Sequence, residues 1–419
     1  MRRISGARRR TVIIFIALVL LNIAAVFNAL FLRDQPAGDN PSSSDLTSGS
    51  HITVSETEPP ALPDSVTVTM AGDVIVHDRA LSYAQTGENT YDFEPFFSEF
   101  GAVFKADLNI VNLETQVDIW GGNKKLTGFP YFNAPSELLT ALKNLHIDTC
   151  ITANNHCFDS KQFAGLAATL ENVKASGMDV VGTYAAQENA DELYIKEING
   201  IKVGVAAYTE HTNGVYIPPG DRFCVKVAGK DFENIDIILD DINRMRTAGA
   251  EFIIVSLHWG YEYEDNPSGW QTEAARRLCE SGADVIMGTH PHVVQPIEKI
   301  TVEREDGARE CIIAYSLGNF FSYQLFPTGE TKFTDLGMIL SVRAERGGDG
   351  AVRLAEAFYL PIYLQRVADN GTGALRLRQL GRFAGSADAD ANARAYWERV
   401  TRIAGDAILA VDDMENAPF

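Results

Sequence analysis

The chain has 419 residues, 46% of them hydrophobic, and carries a net charge of −20. That length and apolar content suit one large α/β domain or two ordinary ones and exclude disorder as the overall class. Residues 1–33 hold six arginines and no acid, which leaves the remainder at −26, a surface that excludes nucleic acid as a partner because phosphates need basic groups.

Arg2, Arg3, Arg8, Arg9 and Arg10 make residues 1–10 a basic segment ahead of an uncharged apolar run at 11–32. At helical rise that run extends about 33 Å, enough to cross a hydrocarbon core of ~30 Å. The arginines place the N-terminus in the cytoplasm and the rest outside the cell membrane, as a single-pass anchor. A cleaved signal peptide is the competing reading. Its apolar core is usually shorter and ends in a small-x-small site, whereas Phe27-Asn28-Ala29 puts a bulky residue there. Residues 33–65, rich in Pro, Ser, Asp and Gly, read as a flexible stalk.

From Val66 onward short apolar runs alternate with amphipathic stretches. Strands are expected at Val66–Ala71, Leu108–Leu113, Thr149–Ala153, Val203–Ala207, Phe252–Leu257 and Val285–Met287. Helical patterns lie near Glu94–Phe104, Ser136–Leu145, Lys161–Ser176, Asn234–Ala248 and Ser268–Ser281. Such alternation predicts a sheet with helices packed on its faces. Gln295–Val302, Cys311–Tyr315, Leu336–Ala344 and Val352–Leu360 are strand-like with short turns and predict antiparallel strands closing a second sheet. Ala387–Val411 reads as one helical pattern, so residues 366–419 are expected as a helical extension of a domain at 66–365. The five cysteines are scattered and suggest buried free thiols, a Cys150–Cys157 bridge being the alternative.

The strand ends share a property. The first leads into Gly72-Asp73, the second into Asn112-Leu113-Glu114, and the third into Asn154-Asn155-His156. Two later strands end in His258-Trp259-Gly260 and in Gly288-Thr289-His290-Pro291-His292. Ligands bind beyond the carboxyl ends of strands in α/β sheets, so these polar groups converge on one crevice. Hard oxygen donors together with imidazole suit Zn, Mn or Fe rather than Ca or a thiolate site. Each piece alone is weaker: Gly72-Asp73 suits a turn, Asn155 a helix N-cap, and His258 a satisfied core histidine.

The ordered set MAGDV (70–74), VNLE (111–114), ANNH (153–156), SLHWGYEY (256–263), GTHPHVVQPIE (288–298) and YSLGNF (315–320) resembles the CapA family of poly-gamma-glutamate capsule biosynthesis proteins, within the calcineurin-like metallophosphatase superfamily. The resemblance spans about residues 66–365. It implies a metallophosphatase-like four-layer sandwich, two mixed β-sheets flanked by helices, behind one N-terminal transmembrane helix. It also implies one or two divalent ions, with Asp73 and His292 on the first, Glu114 as bridge, and Asn155, His258 and His290 on the second. His156 is then the proton donor. Asn154, Ser316 and Asn319 would line the same face; beside them Glu262, four residues after His258, orients an imidazole or is a surface acid, and His211 reaches substrate or sits in a plain surface loop.

Two departures stand out. Ile75 occupies the place where the superfamily usually has histidine, and the bridge is Glu rather than Asp. His77 is a loop residue or a substitute for the missing ligand. The resemblance implies a metal-dependent hydrolase acting in synthesis or export of poly-gamma-glutamate or another cell-envelope polymer. The alternative is a non-catalytic accessory subunit that holds anionic polymer at the metal, beside membrane capsule synthase subunits.

Overall fold

The computed structural model describes residues 65–121, 125–304, 307–324, 332–367 and 374–419. The basic segment, the expected anchor at 11–32 and nearly all of the stalk lie outside them. Among the described residues no helix is long and apolar enough to cross a membrane.

In chain order the principal strands are β1 (Ser65–Ile75), β2 (Leu108–Leu113), β3 (Thr149–Ile151), β4 (Asp179–Val181), β5 (Tyr194–Ile198), β6 (Ile201–Thr209), β7 (Phe252–His258) and β8 (Val285–Thr289). They continue as β9 (Ile297–Arg304), β10 (Gly307–Ala314), β11 (Asn319–Ser322), β12 (Leu336–Arg346), β13 (Val352–Val367), β14 (Ala374–Gln379) and β15 (Leu409–Ala410). The main helices are α1 (Glu137–Asn144), α2 (Phe163–Ala175), α3 (Asp236–Thr247), α4 (Gly269–Ser281) and α5 (Ala393–Ala404).

One sheet runs β14-β13-β12-β1-β2-β3-β4, with β11 against β1 and β15 against β13; the other runs β9-β10-β8-β7-β6-β5. Both are mixed: β1 to β4 are parallel, as are β6, β7, β8 and β10, while the flanking strands pair antiparallel. Period-two alternation sorts the side chains into layers. Val66, Val68 and Met70 of β1 meet Val203, Val205, Ile254 and Met287 between the sheets. Val111 and Leu113 turn the other way, onto Leu138 and Leu142 of α1. Ile253, Val255 and Leu257 face outward from the second sheet onto Ile242 of α3 and Leu278 of α4. The result is a four-layer α/β sandwich.

Several expectations change. The strands at 336–346 and 352–367 belong to the first sheet, where β12 pairs antiparallel with β1; only β9 and β10 extend the second. The stretch 366–419 is no separate helical extension, because β14 and β15 pair with β13 within the same compact unit as the rest of the described residues. Its longer helix spans only Ala393–Ala404, where Gly405 at φ +81° ends it, and a short one covers Leu380–Ala384. The pattern at 94–104 yields a single 3₁₀ turn, Glu94–Phe97, whose phenylalanines pack on Phe320 and Phe321. All five cysteines are buried free thiols, so Cys150 and Cys157 are not bridged.

Candidate metal centre

Strand parity places the ligands. Leu108 and Ile110 face the inter-sheet core, so Asn112 and Glu114 continue on that face just past its edge. On β7 the same alternation carries Phe252 and Ile254 to His258. Asp73 would point outward by strict alternation, because Ala71 does. A register irregularity between Ala71 and Asp73 turns it back, with Val74 again outward. Gly72 permits this: a Cβ there would sit 1.9 Å from the Gly318 carbonyl oxygen.

Four ligand atoms then converge. His258 Nε2 lies 3.0 Å from Asn155 Oδ1, 3.1 Å from His290 Nδ1 and 3.5 Å from Glu114 Oε1. Tetrahedral ligands ~2.0–2.1 Å from an ion stand roughly 3.3 Å apart, so this spacing fits a divalent transition metal. Glu114 supplies the second test. It is fully buried, and no N–H or O–H donor reaches either carboxylate oxygen. An acceptor left so is costly unless a cation or proton satisfies it. Burial, and then the neighbouring Asp73 carboxylate, hold its carboxyl well above the usual range. Burial likewise holds His258 and His290 well below the ordinary imidazole value, so both are neutral, as ligands must be.

The Asp73 side differs. His292 Nδ1 lies 3.2 Å from Asp73 Oδ2 and 3.1 Å from Asn319 Oδ1, both acceptors, so Nδ1 carries the proton. Its Nε2 faces Glu114 Oε1 at 3.8 Å. Burial opposes the charge on His292, but the hydrogen bond and charge of Asp73 outweigh it and the imidazole is raised above its usual value. Asp73 also accepts from Asn112 Nδ2 at 2.7 Å and from the His290 N–H at 3.3 Å. The close triads are Glu114–His290–His292 and Asp73–Glu114–His258. Glu114 belongs to both, and the triads cross the expected division of histidines, so the cluster is continuous. His290 and His292 take φ of +97° and +58°, backbone strain of the kind concentrated at functional sites.

The remaining expected residues fall into distinct places. His156 Nδ1 meets Asp159 Oδ2 at 2.8 Å, its ring stands edge-on to Phe132, and Asn213 Nδ2 lies 3.4 Å from both ring nitrogens. Asn154 donates to the Leu113 carbonyl and accepts the His156 N–H, fixing that turn. Asn319 holds His292, whereas Ser316 bonds the Val293 carbonyl and the Gly318 N–H and shapes the loop. His211 sits edge-on to His290 at 5.5 Å. Glu262 is exposed and hydrogen-bonds Tyr263, and Thr289 Oγ1 holds His258 Nδ1 at 3.0 Å in the orienting role expected of Glu262. His77 is turned to Ser322 and Phe132, and burial lowers it to about 4. Trp259 is core, its indole N–H on the Tyr315 carbonyl.

Three contributors escaped the sequence reading: Asn112, Asp159 and Thr289. Asn112 was legible in principle, since it shares the inward parity of Glu114. Asp159 lies three residues after His156, but nothing local indicates that the intervening turn folds it back.

The family model described as "Bacterial capsule synthesis protein PGA_cap" matches residues 67–324. The chain is 26% identical over 282 residues to the capsule biosynthesis protein CapA of Bacillus anthracis, covering 66% of this chain and 63% of that one. It is 25% identical over 280 residues to the PGA biosynthesis protein CapA of Bacillus subtilis strain 168, covering 66% and 67%. A probable polyglutamine synthesis accessory protein of Mycobacterium tuberculosis is 28% identical over 199 residues, covering 46% and 51%. The chain therefore spans less than two thirds of the B. anthracis relative. Among solved structures, the calcineurin-like phosphoesterase YfkN of B. subtilis superposes with a TM-score of 0.38 at 13% identity, covering 81% of this chain and 97% of that one. A putative 5'-nucleotidase of Staphylococcus aureus gives 0.42 at 14% identity, covering 80% and 58%. These superpositions are loose, and the chemistry of the crevice rests on this chain's own side chains.

Proposed function

The chain belongs to the PGA_cap family of bacterial capsule synthesis proteins, and from that premise we propose that it is a metal-dependent hydrolase acting on a cell-envelope polymer, poly-gamma-glutamate among the candidates, during synthesis or export. The observation that carries this reading is the Glu114 carboxylate, buried without a donor and faced by neutral imidazoles. The arginine-flanked apolar run at 11–32 supports a protein tethered to the membrane with this domain outside.

Asp73, Glu114, Asn155, His258, His290 and His292 would hold divalent ions such as Mn, Zn or Fe, which would supply Lewis acidity toward an ester, amide or phosphoryl oxygen. The chain's own groups do the rest. Asp159 accepts the Nδ1 proton of His156 and so fixes the tautomer in which Nε2 is the basic nitrogen, able to take a proton from the attacking water and then hand it to the leaving group. Thr289 and Asn319 orient the imidazoles that face the ions. Phe132 walls one side of His156 and limits water there.

A second reading, an accessory subunit that binds without turnover, is favoured by the Asp73 side. Ile75 is a buried apolar residue where a further ligand would stand, and one relative is named an accessory protein. Metal content of the full chain, followed by turnover of an aryl phosphate by wild type and His156→Ala, separates the readings. Bound metal with turnover that falls in the variant supports the hydrolase; bound metal with equal background rates supports the accessory role.

A further inference from the structure

The two strands that aim the Asp73 side of the cluster also carry a second group of side chains beyond it. β1 delivers Asp73 and runs on to Ile75, and the short helix Asp78–Ala84 that follows places Arg79 and Tyr83 four residues apart on one face. β11 starts at Asn319, which holds His292, pairs Ser322 with Ile75, and leads into Tyr323. The Tyr83 and Tyr323 rings meet edge-on at 5.8 Å. Arg79 lies 6.0 Å from the Tyr83 ring, and Arg366, near the end of β13, lies 5.5 Å from the Tyr323 ring. This shelf adjoins the crevice side chain by side chain: Ser322 Oγ is 3.4 Å from His77 Nδ1, His77 stands edge-on to Phe132, and Phe132 to His156. From Asn319 to Tyr323 the strand covers at most ~13 Å.

Both guanidinium groups are exposed. Asp335 stands 3.9 Å from Arg366, at the outer limit of an ion pair, and the Arg366 side chain keeps 51% of its surface in solvent. Burial raises the Asp335 carboxyl above its usual value, which weakens its claim on that guanidinium. An aromatic ring beside each fork restricts it in advance, so a carboxylate has less ordering to impose. The chain as a whole is at −20, so its surface at large repels a polyanion, which is held only where cations are presented together. In polyglutamate joined through the side-chain carboxyl, every residue keeps a free α-carboxylate, the group a guanidinium fork suits. Such a residue has five main-chain bonds rather than three and extends ~6 Å, so about two residues reach from the shelf to the ligand cluster.

We propose that Arg79 and Arg366, seated on the Tyr83–Tyr323 shelf, bind free α-carboxylates of a γ-linked polyglutamate strand and lead the strand into the metal crevice. The polymer is taken from the function proposed above; the binding is independent of turnover.

The test is calorimetric titration of the full chain with poly-gamma-glutamate. Wild type is expected to bind, and Arg79→Gln and Arg366→Gln each to weaken binding about three- to tenfold, with metal content unchanged. Arg366→Lys, which keeps the charge but loses the fork, should recover part of the loss. Arg276→Gln removes an exposed guanidinium of α4 that pairs with Glu273 and Glu280, and should leave affinity within about twofold. Binding that depends on Arg79 and Arg366 in a chain with no turnover supports the shelf and removes only the hydrolase reading. Absence of polyglutamate binding, binding that both shelf variants leave unaltered, or an equal loss in Arg276→Gln overturns the proposal.

Discussion

The two sides of the ligand cluster share Glu114 and differ in protonation. On one side His258 and His290 are neutral, and their nitrogens lie 3.1 Å apart with the Asn155 carbonyl oxygen alongside. On the other, burial opposes the charge on His292 but Asp73 outweighs it and raises the imidazole above its usual value, and Asp73 already accepts from Asn112 and from the His290 N–H. The first side has only to give up the proton on Glu114 to take an ion. The second must also strip a proton from His292 Nε2. One cluster therefore holds a prepared site and a conditional one.

The largest effect is expected from Glu114→Gln, which removes the ligand common to both sides. Metal affinity of that variant should fall more than about 100-fold, since orienting partners alone contribute ~10–100-fold. Elemental analysis after dialysis reads it. His258→Ala should abolish the tighter step, whereas His292→Ala should leave one ion bound and lower the stoichiometry; equal losses in both would erase the distinction between the sides. Thr289→Ala and Asn319→Ala remove only the groups orienting His258 and His292, and should weaken the tighter and the looser step respectively by about tenfold.

A smaller effect probes the backbone that aims Asp73. Gly72→Ala drives a Cβ against the Gly318 carbonyl and should cost about 1–3 kcal/mol in urea unfolding. A neutral result would mean that the loop at Gly318 yields without disturbing β1.

Much of this was legible in the sequence because a strand end followed by a polar group is a one-dimensional signal. All six expected strands between 66 and 287 are present, and the groups that follow five of them converge. What was not legible depended on contacts distant in sequence. Nothing local in Leu336–Ala344 says that it returns to pair with β1 rather than extend β10. The segment 94–104 has helical spacing, yet its phenylalanines are held by Phe320 and Phe321, which override propensity. Thr289 looked like spacing between Gly288 and His290 until β7 and β8 aligned it with His258. Glu262, four residues after His258, has helical spacing, but Gly260 at φ +92° breaks the chain there, so the expected pairing did not form.

The most direct test is the number of ions bound per full chain as a function of pH, by calorimetry with Mn or Zn. Both steps release protons, so both strengthen as pH rises. The His292 imidazole is raised above 6.5 and must lose its Nε2 proton to act as a ligand. One ion should therefore bind below that pH and a second only as pH climbs through the raised value. Two ions binding together at every pH, or none at any, would contradict the account.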